Sequence, residues 1–367
     1  MRKHNPNNER MKRKFFSYLK EAKRQSEPTV DAVAKALNRF EVYTGFRDFK
    51  GFHIEQAIGF KKDLAQRNSQ RSDKPLSKAT LHSTFTHLKR FFQWLSSQPG
   101  YKSRLQYSDA DYFNLSEKER RVATAHREQR VPTIEQVKHV ISAMPAHTDI
   151  EKRNRALIAF TLLTGARDSA IASLKIKHVD LIENKVDQDA REVKTKFSKT
   201  FMTVFFPVGE EIRDIVRAWV LYLREHCLWG NEDPLFPATK VEVGAGHQFQ
   251  ASGLSHRHWS NATPIRAIFR KAFTEAGLPY FNPHSFRNSL ARLGQETCRT
   301  PEEFKAWSQN LGHENPLTTF VSYGEVPYPR QAEILKALER PRTTTNLFAD
   351  ADAIAEAVAR KLLLGGH

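Results

Sequence analysis

The chain has 367 residues, 40% of them hydrophobic, which is enough apolar material to fill the cores of two ordinary domains. Its 58 Lys and Arg outnumber 41 Asp and Glu, and the formal charge of +17 favours a polyanionic partner, nucleic acid before anionic lipid. Two cysteines cannot form a disulfide framework or a Cys-x-x-Cys metal site, and the apolar runs are too short to span a membrane, so we expect a soluble, cytoplasmic protein.

The N-terminal part of the chain is predicted to be helical and to bind DNA. Residues 1–24 hold nine Lys or Arg against two Glu, which indicates a mobile basic arm. Residues 25–116 are predicted to form a helical domain, because apolar residues recur at helical spacing from Thr29 to about Tyr43 and, more weakly, over 53–66.

The clearest helix of this domain begins after Ser77. One of its faces is apolar, and another carries Lys78, His82 and Lys89. Such a polar face either enters a DNA groove or is a solvated surface, and the helix pattern by itself favours neither. These three side chains are the candidate DNA contacts of the N-terminal domain.

A charged segment without apolar periodicity, residues 117–131, is predicted to link this domain to a second one over 132–340. The second domain opens with capping-box spacing between Thr133 and Gln136. Residues 341–367 form a polar tether and an Ala-rich amphipathic helix, a plausible piece to dock on a neighbouring subunit. Further helices of the second domain are predicted near residues 151–163, 209–226, 261–276, 284–296 and 300–310.

One β-hairpin is predicted within this helical domain, over residues 191–207 (REVKTKFSKTFMTVFFP). Two β-prone runs flank a Phe-Ser turn, and Lys194, Lys196 and Lys199 lie around its tip. Lysines on an edge strand usually prevent aggregation, but a hairpin tip can also bring an ammonium group to a leaving oxygen in the minor groove. The residues alone do not choose among the three lysines.

Four short segments present groups that can bind phosphate or move protons. Arg167 follows Gly165 at a helix junction that favours an anion, and His284 and Arg287 share one face of a helix start. His313 follows Leu-Gly, and Tyr323 lies ten residues later. Taken singly, an arginine at a helix start is more often a surface residue, and such a histidine or tyrosine more often has a structural role.

In the order Arg, Lys, His-x-x-Arg, Gly-His, Tyr, these segments resemble the tyrosine recombinase (phage-type integrase) family over about residues 132–339. By this resemblance Arg167, His284, Arg287 and His313 are catalytic, and Tyr323 is the nucleophile. Ser198-Lys199-Thr200 resembles the hairpin of phage integrases, which selects Lys199 as general acid and keeps Lys196 in reserve.

Two positions depart from the family pattern. Ala170 stands where the family usually has an acidic residue that supports its arginines, and Asp168, the nearby substitute, points elsewhere on a helix. Tyr323 lies ten residues after His313, whereas nine is common in the family. Tyr328 is the alternative nucleophile, but the prolines on either side of it disfavour a helix.

The resemblance implies a mainly α fold: a helical N-terminal DNA-binding domain and a mostly α catalytic domain with a small β-hairpin or sheet. It implies cleavage and rejoining of duplex DNA through a 3′-phosphotyrosine, without metal, cofactor or small-molecule substrate. It further implies a homo-tetramer on synapsed DNA sites, and we expect integration or excision of a mobile element. The alternatives are relaxation of DNA like that by a type IB topoisomerase, and an inactive DNA-binding accessory protein.

Overall fold

The computed structural model describes residues 4–69, 73–125, 130–243 and 247–313. The chain divides into two compact units, Met1–Arg127 and Glu128–His367, each with its own core of buried apolar side chains. Helices predominate and the strands are short, which confirms the mainly α fold class. None of the described helices is long and apolar enough to cross a membrane. Tyr323, Tyr328 and the tail predicted at 341–367 lie outside the described residues.

An aromatic core organises the first unit. Phe40 meets the rings of Phe60, Phe92 and Phe113 edge to face, with centroids 5.2 to 5.7 Å away. Such ring pairs add roughly 0.5–1.5 kcal/mol each beyond the area that they bury. The α-helices around this core are α1 (Pro6–Ser17), α2 (Glu27–Tyr43), α3 (Ile54–Gln66), α4 (Lys78–Ser96) and α5 (Glu117–Thr124).

The prediction of a mobile basic arm over residues 1–24 is wrong. Helix α1, with 12 residues, occupies half of this segment, and a π-helical turn, Tyr18–Ala22, extends it. Met11, Phe15 and Leu19 recur every four residues and are almost fully buried. The cations between them conceal this apolar stripe in the sequence. Arg13 and Lys14 are exposed, and Lys12 pairs with the buried Glu41 carboxylate at 2.7 Å, so the stripe can join the core.

The predicted linker, residues 117–131, also contains regular structure. Ser116 and Glu119 form a reciprocal capping box that starts helix α5. This helix buries none of its residues, so it has no apolar period that a sequence pattern could reveal. The capping box is the signal that identifies it.

The second unit surrounds one central helix, α7, whose residues 156–164 are all buried. The predicted helices of this domain are confirmed to within a few residues. A capping box between Thr133 and Gln136 starts helix α6, as predicted. The α-helices described in this unit are α6 (Ile134–Ala143), α7 (Asp149–Thr164), α8 (Asp168–Ile171), α9 (Glu210–Leu221), α10 (Thr263–Glu275), α11 (Pro283–Thr297) and α12 (Pro301–Asn310).

The predicted hairpin has the wrong first strand. Strands β1 (Val179–Asp180), β2 (Lys185–Gln188) and β3 (Phe201–Val204) form an antiparallel sheet in that order, with Gln188 opposite Phe201. Residues 191–196 are therefore not a strand but part of a loop, 189–200, between β2 and β3. The chain turns there because the Val193 amide donates to the Asp189 carbonyl oxygen, 2.7 Å away.

A second hairpin in this unit escaped the sequence analysis. Strands β4 (Thr239–Val243) and β5 (Phe249–Leu254) pair antiparallel, with an irregularity between Lys240 and Val241. The alternation of Lys, Val, Glu and Val before Gly-Ala-Gly is a hairpin signal that would have identified it.

Candidate active site

Gly165 makes the close approach on which the site depends. It ends α7 with φ of +58°, a left-handed conformation that strongly favours glycine. A Cβ atom there would lie 2.9 Å from Leu311 Cδ2 and 3.1 Å from Leu290 Cδ1. Glycine thus lets the end of α7 approach both α11 and the residues after α12, and it places Arg167 at the start of α8.

Arg287 joins these segments from α11, where its side chain is only 3% exposed. Nη1 donates to the Gly165 carbonyl oxygen at 2.6 Å, and Nη2 donates to the Leu311 carbonyl oxygen. Nη2 also lies 3.1 Å from His313 Nε2. Burial and repulsion by Arg167 lower the pKa of Arg287 to about 9, so the guanidinium remains charged at neutral pH.

No carboxylate among the described residues pairs with Arg287, and its buried Nε has no hydrogen-bond partner there. Arg167 is half-buried, and burial lowers its pKa as well. Asp168 follows Arg167 but binds Arg266, with Oδ2 2.8 Å from Nε and 2.7 Å from Nη2. Asp168 therefore does not replace the acidic residue that the family usually has at position 170. This agrees with the expectation from the sequence that Asp168 points elsewhere on the helix.

The two candidate histidines lie beside these arginines and favour the neutral form. Burial, then repulsion by Arg287 and Arg167, lowers the pKa of His313 to about 4. The His284 ring is solvent-exposed, but partial desolvation and the same two arginines lower its pKa too. Arginine can only donate hydrogen bonds, so His313 Nε2 accepts from Arg287 and the proton of the neutral ring is on Nδ1.

The loop between β2 and β3 brings two of the three lysines to the site. Lys196 contributes to the lowered pKa of His284, and Lys199 contributes to that of His313. Lys194 and Lys196 are exposed, whereas Lys199 is half-buried. The structure thus brings Lys196 and Lys199 near different histidines.

Asn310, at the end of α12, connects this loop to His313 and was missed by sequence analysis. Its Oδ1 accepts from the Val204 amide and its Nδ2 donates to the Val204 carbonyl oxygen, both at 2.8 Å. Thr203 Oγ1 donates to the Asn310 carbonyl oxygen at 3.2 Å. Strand β3 begins two residues after Lys199, and Leu-Gly-His follows Asn310, so these bonds hold both segments in register. The one sequence signal was a polar residue immediately before Leu-Gly-His.

The candidate DNA contacts on α4 are in a different electrostatic state. Lys89 Nζ lies 2.7 Å from Asp111 Oδ1 and donates to Asn114 Oδ1 at 3.0 Å. Lys78 Nζ lies 3.6 Å from Glu119 Oε1. His82 is partly buried in the groove between α4 and the start of α5. Both lysines are therefore paired with carboxylates within the first unit, Lys89 more closely than Lys78.

The described part of the chain contains no group of three His, Cys, Asp or Glu side chains placed to hold a metal ion. Among its residues, the arrangement is a concentration of positive charge from Arg167 and Arg287, with two neutral histidines and two lysines at its border. Such an arrangement can bind an anion, donate hydrogen bonds and transfer a proton.

Residues 131–328 match the family model described as the phage integrase family, which is more than half of the chain. Tyrosine recombinase XerC of Lactobacillus delbrueckii subsp. bulgaricus is 24% identical over 316 residues, covering 85% of this chain and 92% of the relative. Tyrosine recombinase XerC of Bacillus pumilus is 23% identical over 321 residues, covering 86% and 92%.

Two solved structures with a similar fold are complexes with DNA. A lambda integrase dimer bound to a COC′ core site has a TM-score of 0.58 at 10% identity, covering 87% of this chain and 97% of that one. The Tn1549 transposon integrase in complex with transposon right end DNA has a TM-score of 0.57 at 14% identity, covering 90% and 98%. At sequence identities this low, the similarity shows a shared fold and nothing further.

Proposed function

Because the chain belongs to the phage integrase family of tyrosine recombinases, enzymes that cleave and rejoin DNA via a tyrosine intermediate, we propose that Tyr323 is its nucleophile. The Tyr323 phenol oxygen bonds to a backbone phosphorus of duplex DNA as the bond to the 5′ oxygen breaks. The products are a 3′-phosphotyrosyl link and a free 5′ hydroxyl. Tyr323 follows His313 at nearly the family spacing, which supports this assignment over Tyr328.

The unneutralised charge of Arg167 and Arg287 is the observation that carries the proposal. A phosphodiester repels an attacking phenolate, and charge grows on its non-bridging oxygens in the transition state. Two guanidinium groups without a carboxylate partner in the described residues offer those oxygens strong hydrogen bonds.

The histidines and the lysine have distinct roles in this scheme. His313 Nε2 is already occupied by Arg287, so His313 donates from Nδ1 to the phosphate. His284 is neutral and exposed, and it takes the phenol proton. Lys199 gives a proton to the departing 5′ oxygen, a step worth roughly a hundredfold to ten-thousandfold in rate. The half-buried position of Lys199 and its influence on His313 support this choice over Lys196.

The biological role that we propose is integration or excision of a mobile element by a homo-tetramer on two DNA sites. Two kinds of solved structure support it. The Tn1549 transposon integrase has this fold, and a lambda integrase tetramer bound to a Holliday junction has a TM-score of 0.58 to this chain. The interspersed cations of the N-terminal unit and the formal charge of +17 suit a duplex partner.

A nicked duplex that traps covalent intermediates tests the nucleophile. The full-length protein is incubated with labelled DNA and resolved on a denaturing gel. We expect a covalent adduct with the unmodified chain and with Tyr328→Phe, and none with Tyr323→Phe. An adduct that persists in Tyr323→Phe and disappears in Tyr328→Phe would move the nucleophile to Tyr328.

A further inference from the structure

Phe197 stands at the tip of the loop between β2 and β3 with 87% of its side chain exposed. Its φ of +60° and ψ of 24° are left-handed, and Ser198 after it has φ of +51°. Residues with a side chain rarely adopt this conformation, and two in succession are rarer still. The chain thus exposes a large apolar ring to solvent and holds it on a backbone conformation that is unfavourable for residues with a side chain. Such a combination indicates a functional role.

The loop on either side of this tip is firmly attached. The Lys194 amide donates to Ser173 Oγ at 2.8 Å, and Val193 before it is buried. On the other side Thr200 Oγ1 accepts from the Ala190 amide at 3.0 Å. Residues 195–199 therefore form a short tip between two hydrogen-bonded positions of the loop.

The ring lies beside a lysine that borders the active site. Lys196 Nζ is 4.7 Å from the Phe197 ring centroid, a cation–π contact. Lys196 also acts on the pKa of His284, and Lys199 acts on that of His313. Proteins that bind the minor groove of duplex DNA combine cations, which contact phosphates, with apolar side chains such as Phe, which contact or insert between base steps.

We propose that Phe197 contacts the deoxyribose and base surfaces of duplex DNA beside the phosphate that is cleaved. The contact anchors the tip in a groove and thereby holds Lys196 and Lys199 against the leaving strand. This inference rests on the proposed function of the neighbouring arginines and histidines. It adds an apolar, charge-independent contact to a site otherwise made of cations.

The test compares Phe197→Ala with Phe197→Trp in the full-length chain. Ile182→Ala is the matched control, because Ile182 is 89% exposed in the turn between β1 and β2 of the same sheet. Affinity for a fluorescently labelled duplex of mixed sequence is measured by anisotropy over a series of salt concentrations.

We expect Phe197→Ala to weaken binding about tenfold, which is the lower part of the range for aromatic stacking on single strands, because the bases of a duplex remain stacked on each other. The slope of log affinity against log salt should stay unchanged, because no phosphate contact is lost. Phe197→Trp should retain the affinity, and Ile182→Ala should match the unmodified chain. Lys196→Gln should instead lower that slope by about one.

Equal affinity of Phe197→Ala and the unmodified chain would overturn the inference. A change of oligomeric state in sedimentation, with DNA affinity intact, would overturn it in favour of a protein partner. The outcome is separable from the nucleophile assignment. If the adduct depends on Tyr323 but Phe197→Ala binds DNA as well as the unmodified chain, only this inference fails. If Phe197→Ala binds DNA more weakly and no adduct forms with any variant, the DNA contact stands and the proposed cleavage chemistry fails.

Discussion

Two sets of basic side chains in this molecule, Lys78 and Lys89 on α4 and Arg167 and Arg287 in the second unit, differ in what neutralises them. The lysines lie beside Glu119 and Asp111. Arg287 has carbonyl and histidine partners, and neither arginine pairs with a carboxylate in the described part of the chain. A count of cations does not distinguish the two sets, whereas their partners do.

The energetic states of the two sets differ accordingly. An exposed ion pair contributes about 0–1 kcal/mol, so the α4 lysines can exchange a carboxylate for a phosphate at little cost. A buried guanidinium without a counter-charge destabilises the folded protein, and it is retained where function requires the charge. The second set is therefore the stronger candidate for a preformed phosphate site.

The largest expected effect is on cleavage by Arg287→Ala. Removing a donor aimed at developing charge costs on the order of 10²–10³ in rate, so covalent adduct should form at least a hundredfold more slowly. Lys89→Ala should change that rate less than tenfold.

The control for lost folding is Arg153→Ala. Arg153 is 2% exposed, donates to the Pro237 carbonyl oxygen at 2.9 Å and stacks on Trp259. The Arg153→Ala variant should have a lower free energy of unfolding but an unchanged cleavage rate per folded molecule. Equal loss of cleavage in the two variants would show that any buried arginine matters equally.

Gly165→Ala should lower the free energy of unfolding by about 2–4 kcal/mol, from left-handed strain together with overpacking against Leu311 and Leu290. Gly277→Ala is the matched control, since Gly277 has φ of +69° but nothing within 4 Å of an added Cβ. Chemical denaturation of both variants measures the difference. Equal losses would mean that the close approach at Gly165 adds no constraint.

The low pKa of His313 predicts a dependence of stability on pH. Between its ordinary value of 6.5 and about 4, the unfolded chain binds a proton that the folded chain does not. The free energy of unfolding should therefore fall as the pH falls through this window, by up to about 1.4 kcal/mol per unit from this group. Denaturation of His313→Gln at several pH values should show a shallower loss; identical slopes would contradict the burial of His313 beside the arginines.

The smallest expected effect comes from releasing an α4 lysine. Asp111→Asn should raise affinity for mixed-sequence duplex severalfold and steepen its salt dependence by about one, because Lys89 becomes available to a phosphate. Glu225→Gln removes one exposed negative charge elsewhere and controls for the change in net charge. If both variants bind alike, Asp111 does not mask Lys89.

Sequence patterns predicted the helices of the second unit because their apolar faces follow a simple period over many residues. They failed for α1, where Met11, Phe15 and Leu19 are separated by cations, and for the strand opposite β3. In the segment predicted to be that strand, Val193 has a high β propensity, but its amide donates to the Asp189 carbonyl oxygen and the chain forms a turn. Local hydrogen bonds of this kind override a β-prone composition.

The ordered motifs identified Arg167, His284, Arg287 and His313, and the structure brings these four together. The motifs did not reveal Asn310, nor that the α4 lysines are paired with carboxylates. Asn310 binds Val204 across more than a hundred residues of sequence, and Lys89 depends on Asp111 from a later segment. Such partners depend on tertiary packing, which a single sequence read locally does not supply.

The central claim is that Arg167 and Arg287 act by neutralising the phosphate that is cleaved. Replacing one non-bridging oxygen of that phosphate with a methyl group removes its charge, and with it the need for one arginine. On the ordinary duplex, Arg167→Ala should cleave at least about a hundredfold more slowly than the unmodified chain. On the methylphosphonate duplex, the cleavage rates of Arg167→Ala and the unmodified chain should approach each other. If Arg167→Ala were slower by the same factor on both substrates, the proposed role of the arginines would be contradicted.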